Sequence, residues 1–175
     1  MTSFTIRPAD ASDIPGILAI YADAVLTGTA TWEIDPPDAA EMARRREAIL
    51  AAGYPYLVAV SDGRVLGYAY ANSYRPRAAY RFTVENSIYV ADDAKGRGVG
   101  KALMAALIED CAARGFRQMV AVIGDSANAA SIGLHRSAGF AMIGTAPAVG
   151  FKFGRWLDQI LMQRALGEGA ETVPA

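Results

Sequence analysis

Residues 92–103 read DDAKGRGVGKAL: three alternating glycines beside Lys95, Arg97 and Lys101. An apolar strand pattern runs into this stretch and an apolar helix pattern leaves it. The first N–H groups of a helix have no internal partners, and the helix dipole adds partial positive charge there. Gly96, Gly98 and Gly100 allow φ > 0 and close backbone approach, so the stretch can cradle an anion such as a pyrophosphate. It is not a Walker loop, because Gly100-Lys101 is followed by Ala102 rather than Ser or Thr. It is not the dinucleotide pattern G-x-G-x-x-G, because counting from Gly96 the third glycine position is Lys101. The plain alternative is a glycine-rich turn with solvated lysines.

Other residues could move protons or hold charge. Glu85 lies inside an apolar strand pattern, TVENSIYV. Alternation puts Glu85, Ser87 and Tyr89 on one face unless a bulge intervenes, and partial burial would raise the carboxyl's pKa toward that of a useful base. A solvent-facing or salt-bridged carboxylate is the competing reading. His135 is the single histidine, and its ordinary pKa suits proton transfer; a packing or capping histidine is the alternative. Arg75, Arg77 and Arg81 crowd the connection just before the Glu85 strand, where guanidinium forks could take oxyanions. Surface arginines in a solvated loop would look the same. Cys111 falls on the apolar face of a helix pattern and has no evident base beside it, which argues against a nucleophilic thiol.

These residues need a scaffold, and 175 residues suffice for one domain with a core. Formal charge is −1 with both signs mixed, which argues against nucleic-acid binding. No apolar run is long enough to span a membrane, and the N-terminus lacks a secretion-signal pattern. A single Cys excludes an internal disulfide and fits a reducing, cytoplasmic setting. One His and one Cys leave too few soft ligands for a protein-built zinc site, so no metal is expected.

The hydrophobic periods predict a strand at FTIRPA, a helix capped by Ser12 or Asp10, and a second helix capped by Asp38 and stopped by Gly53. A hairpin turning at Asp62-Gly63 follows, then the Glu85 strand, then a helix ended by Gly115. RQMVAVI reads as a strand, SANAASIGLHRSAG as a helix, FAMIG as a short strand, and VGFKFGRWLDQILMQRAL as extended structure. Hairpins interrupt the alternation, so the expected class is α/β (α+β), a mixed sheet with helices on both faces rather than a regular βαβ array. One domain is expected over residues 1–166, with 167–175 a flexible tail.

A second segment, NAASIGLHRSAGF from Asn128 to Phe140, combines with the glycine loop. Together they resemble the GNAT superfamily of acyl-CoA-dependent N-acyltransferases. Two positions depart from the usual pattern: the basic residue opening the loop is Lys95, where Gln or Arg is common, and a position often held by Tyr is His135. GILAIYADAV, TVENSIYV, ASIGLHRSAGF and VGFKFGRWLDQILMQ further resemble the branch of phosphinothricin and methionine sulfoximine N-acetyltransferases.

The resemblance implies a mostly antiparallel GNAT sheet whose strands splay to admit acetyl-CoA. Lys95, Gly96, Arg97, Gly98, Val99, Gly100 and Lys101 would bind its pyrophosphate. Asn128, Ser131 and His135 would lie along the pantetheine, although Asn128 could equally be a helix N-cap. Backbone N–H groups near Ile88, Tyr89 and Val90 would meet the thioester carbonyl. Glu85 would be the base, directly or through water, and His135 a general acid. The acceptor would be a small amino acid held by Arg75, Pro76, Arg77, Glu85, Asn86, Ser87 and Trp32, with Tyr80, Phe82 and Glu33 near the pocket. Trp32, Phe151, Phe153 and Trp156 are otherwise core or interface residues. The family commonly forms homodimers, and FKFGRWLD is a plausible seam where Lys152 and Arg155 would border a partner's pocket. Other acceptors remain open, namely a polyamine, an aminoglycoside or a protein N-terminus, as does a CoA-binding regulatory module without turnover.

Overall fold

The computed structural model describes residues 3–174. In chain order it runs β1 (Thr5–Pro8), α1 (Ile14–Thr27), α2 (Ala39–Ala51), β2 (Tyr56–Ser61), β3 (Arg64–Ser73), β4 (Thr83–Val90), α3 (Val99–Ala113), β5 (Gln118–Gly124), α4 (Ala129–Ser137), β6 (Ala141–Lys152) and β7 (Arg155–Ala165). The strands form one sheet in the order β1-β2-β3-β4-β5-β7-β6. Every neighbouring pair is antiparallel except β4 with β5.

Local chemistry explains the boundaries. Asp10, rather than Ser12, caps the single 3-10 turn leading into α1, and Asp13 reciprocates to complete a capping box. Asp38 caps α2 through the Glu41 N–H, and Gly53 follows that helix at φ 83°. Asp62 and Gly63 both have positive φ, as a tight β2–β3 hairpin requires.

β2 and β3 are buried on both sides, and alternation splits the core in two. Leu57, Ala59, Leu66, Ala69 and Val84 pack with Val99, Leu103, Met104, Leu107 and Cys111 of α3. Tyr56, Val58, Val65 and Tyr68 pack with Ile17, Tyr21 and Val25 of α1 and Met42 and Ile49 of α2. Leu103, Met104 and Leu107 have no exposed surface, and such burial contributes roughly 1.5–3 kcal/mol per side chain. Thus α1 and α2 cover one face and α3 the other.

Two expectations change. FAMIG is only the start of β6, a twelve-residue strand whose register shifts between Met142 and Gly144 and between Ala146 and Gly150. β6 is an edge strand, where Pro147 costs no ladder bond on the open side. It turns into β7 through Phe153 and Gly154, both at positive φ. Within 167–175, expected as a flexible tail, Arg117 donates to Thr172 Oγ1 at 3.0 Å and pairs with Glu168 at 3.3 Å. Ala175 lies outside the described residues.

Candidate active site

β4 and β5 pair only from Thr83–Asn86 against Gln118–Ala121. Beyond that point β4 stays on β3 as far as Val90, while β5 stays on β7 as far as Gly124. The two strands therefore part at Asn86 and Ala121. A cleft of about 120 Å³ opens there, walled by Glu85–Tyr89 of β4, Ala121–Gly124 of β5, Asn128, Ser131 and His135, and roofed by Thr31 and Trp32.

The cleft adjoins a groove of about 740 Å³. Ile88, Tyr89, Val90, Lys95, Gly96, Gly98, Val99, Gly100, Lys101, Asn128 and Ser131 all line it. These are eleven of the residues expected to hold acetyl-CoA. Arg97 does not line it, and His135 lines only the cleft. Gly98 is the N-cap of α3 at φ 83°, with no side-chain hydrogen bond to the first turn. The N–H groups of that turn are thus left to an anion, and the open space around Gly96 and Gly98 keeps the approach clear. The groove's size and donor set suit a long anionic cofactor such as CoA.

The backbone of β4 also offers donors. Ala91 N–H bonds to Leu66 O on β3. Counting back in an unbroken register, Tyr89 and Ser87 point the same way, so the Ile88 and Val90 N–H groups face the parted side.

No bulge interrupts β4, so Glu85, Ser87 and Tyr89 share one face, with Tyr89 stacked on Tyr68 at 5.2 Å and edge-on to Tyr21 at 5.2 Å. Glu85 is half-buried at the cleft. Burial raises its pKa above the ordinary carboxylate range, and the nearby Arg75 charge opposes that. Arg75 itself is exposed over the Tyr74 ring at 5.0 Å. Pro76, Arg77 and Tyr80 lie on the same exposed connection, and none of Arg75, Pro76, Arg77, Tyr80, Phe82 and Glu33 lines the groove or the cleft. Glu33 is instead paired with Arg45 at 2.6 Å.

Val84 and Asn86 project to the other face, and there Asn86 meets His135. The ring is 3% exposed, Nδ1 lies 2.8 Å from Ser131 O, and Nε2 lies 2.9 Å from Asn86 Nδ2. Both nitrogens are occupied, and burial lowers the pKa, so the ring is neutral near pH 7. Asn128 does what an N-cap does: Oδ1 accepts from the Ser131 N–H at 3.1 Å, and Nδ2 donates to Gly124 O at 3.2 Å. Its side-chain amide is spent on the protein, although the residue borders the groove.

The roof was not legible as such. Lys152, expected at a partner's pocket, is buried in its own chain and donates to Gly28 O at 2.9 Å and Thr31 O at 3.2 Å. Thr31 Oγ1 also hydrogen-bonds Tyr21 Oη at 2.9 Å. Trp32 is seated between two glycines: a Cβ at Gly150 would lie 2.1 Å from its ring, and one at Gly124 3.2 Å. Arg155 pairs with Asp125 at 2.5 Å and borders this chain's own groove. The small-residue run TGTATW was the one sequence hint of a chain segment lying close over something. Phe151, Phe153 and Trp156 are more than half exposed, so they are not core.

Comparison with known proteins agrees with this geometry. Residues 17–140 match the Acetyltransferase (GNAT) family. The chain is 54% identical over 170 residues to a phosphinothricin N-acetyltransferase of Alcaligenes faecalis, covering 97% of this chain and 86% of that one. It is 53% identical over 163 residues to an L-methionine sulfoximine/L-methionine sulfone acetyltransferase of Pseudomonas paraeruginosa, covering 92% and 94%. A crystal structure of a GNAT superfamily phosphinothricin acetyltransferase from Sinorhizobium meliloti, in complex with AcCoA, superposes with a TM-score of 0.96 at 53% identity, covering 100% and 94%. With its parted parallel strands, its glycine-capped helix beside them, and these relatives, the chain belongs to the GNAT acetyltransferase family.

Proposed function

We propose that the chain transfers an acetyl group from acetyl-CoA to the α-amine of a small amino acid of the phosphinothricin, methionine sulfoximine or methionine sulfone type. The observation that carries this reading is the parted β4–β5 cleft, where a half-buried Glu85 faces the end of a groove with an uncapped helix N-terminus. Acetyl-CoA, when bound, supplies an activated acetyl thioester. The first-turn N–H groups of α3 with Lys95 and Lys101 would hold its phosphates, and the Ile88 and Val90 N–H groups would donate to the carbonyl.

An α-amine is mainly ammonium at pH 7, so it must lose a proton before it can attack. Glu85 accepts that proton, directly or through water, and its raised pKa suits the task. From the exposed connection before β4, outside the cleft lining, Arg75 would reach in to supply charge for the acceptor's carboxylate or its oxygen-rich end, and Asn86, Ser87 and Trp32 form the walls. Attack is direct. Cys111 is fully buried in the α3 core, and burial pushes its thiol up to about 12, so it is no nucleophile. The names carried by the relatives support the acceptor class.

The exposed Phe151, Phe153 and Trp156 on the outer hairpin suit a contact between two copies, and we read the protein as a cytoplasmic homodimer. Among the described residues no helix is long and apolar enough to cross a membrane.

The test is thiol release from acetyl-CoA with phosphinothricin, methionine sulfoximine, methionine sulfone, spermidine, an aminoglycoside and a Ser-starting peptide. Turnover confined to the first three is expected. Turnover only with the cationic or peptide acceptors would overturn the acceptor class. Tight CoA binding without any turnover would favour a regulatory module.

A further inference from the structure

Lys152 and Arg155 are direct partners across the turn between β6 and β7, where Phe153 and Gly154 both have positive φ. Directly opposed residues of an antiparallel pair place their side chains on one face. Their neighbours Phe151 and Trp156, also directly paired, take the other face and are more than half exposed. The hairpin tip thus sends two cations inward, and each meets a different wall segment of the large groove. Thr27, Gly28, Thr29 and Ala30 form one segment, and Asp125, Ala127 and Asn128 another. The first lies against the end of β5 beside the second: a Cβ at Gly124 would be 2.3 Å from Thr29 O.

Neither segment fixes its own shape. From Gly28 to Pro36 the backbone makes one hydrogen bond to other backbone among the described residues, from the Gly28 N–H to Ala24 O. The Gly28 and Thr31 carbonyls instead accept from the buried Lys152 ammonium, at 2.9 and 3.2 Å. In the second segment Asp125 is 4% exposed and has φ 126°, a conformation that an L residue rarely takes. Its carboxylate accepts from the Ala127 N–H at 2.9 Å and from Arg155 at 2.5 Å, so the hairpin holds that turn from outside. Without the Lys152 ammonium, both carbonyls would lose their donor, and the roof has no ladder to keep it in place.

We propose that Lys152 and Arg155 are positioning residues for acetyl-CoA: one hairpin tip holds both wall segments, Lys152 through the Gly28 and Thr31 carbonyls and Arg155 through Asp125. Neither cation lines the cleft where the acetyl group moves. What they supply is order before the cofactor arrives, so that binding does not have to freeze the walls. Their reach differs. Lys152 holds a segment shared by both cavities, since Gly28 lines the groove, Thr31 the cleft and Ala30 both. Asp125 and Arg155 line the groove alone. The part that concerns the acceptor rests on the acetyl-transfer reading above.

Acetyl-CoA Kd by titration calorimetry and KM for the acceptor separate the two roles. Lys152→Met keeps an unbranched chain without the charge and is expected to raise both constants, by roughly 5- to 50-fold. Arg155→Gln is expected to raise acetyl-CoA Kd by roughly 2- to 5-fold, as suits a half-exposed ion pair, with acceptor KM within about twofold. Lys152→Ala leaves out the span of one n-propylammonium ion. Adding that ion should recover acetyl-CoA affinity, and potassium at equal ionic strength should not. A lowered Tm with both constants unchanged in Lys152→Met would make the residue a structural prop and overturn the proposal. So would an Arg155→Gln variant whose acceptor KM rises as far as its acetyl-CoA Kd, or a Lys152→Ala variant that n-propylammonium restores no better than potassium. A parent protein that binds acetyl-CoA yet acetylates no amine would instead sink the functional reading, and the Kd values would still test the hold on the groove.

Discussion

A methyl group added at Gly150 should loosen the cleft roof. The Cβ of Gly150→Ala would sit 2.1 Å from Trp32 Cζ3 and 2.5 Å from Cε3, where ordinary contact begins near 3.4 Å. The indole must move by more than 1 Å, and Gly124 closes its other side. Overpacking of this kind costs about 1–3 kcal/mol. For a domain of this size that lowers Tm by roughly 2–10 °C, read by calorimetry or circular dichroism. Gly150 is not among the positive-φ glycines, so the effect is steric and should depend on its partner. In a Trp32→Ala background, Gly150→Ala should therefore cost less than about 0.5 kcal/mol. Because Trp32 lines the cleft and not the groove, KM for the acceptor should rise while acetyl-CoA Kd holds. An equal Tm loss in both backgrounds, or none in either, would refute the clash.

Gly98→Ala forces a Cβ into a left-handed conformation at φ 83°, so it should cost about 1–2 kcal/mol and weaken acetyl-CoA binding measured by calorimetry. Arg75→Ala removes the charge that opposes burial at Glu85, so the carboxyl's pKa rises further and the acid limb of the kcat profile should shift to higher pH. Cys111, fully buried with its thiol near 12, should resist Ellman's reagent in the native protein at pH 8 and react on denaturation.

Features set by local backbone chemistry were legible. Gly98, the Asp38 cap, the Asp62-Gly63 turn and the alternation through Glu85, Ser87 and Tyr89 each depend on a few consecutive residues. What failed depended on distant partners. FAMIG reads as a short strand, yet β6 runs on through Pro147 because that strand has an open edge. The contacts of His135 were not legible, because Asn86, which lies at Nε2, is 49 residues away in sequence. Lys152 reads as bordering a partner's pocket, but its ammonium ties down carbonyls more than 120 residues earlier in its own chain. The tail reads as solvated, and Arg117 holds it through Glu168 and Thr172.

The central claim is that Glu85, made more basic by burial where the two strands part, takes the amine's proton. The most direct measurement is the pH dependence of kcat for the parent and Glu85→Gln, with acetyl-CoA affinity measured alongside. The parent should show an acid limb above the usual carboxylate range, near 4.3, because the base works only when ionised. Glu85→Gln should lose that limb and roughly 10²–10⁴ in kcat, with acetyl-CoA Kd within about twofold. A variant that keeps kcat within about threefold and shows the same acid limb would contradict the account, and the proton would have to leave by another path.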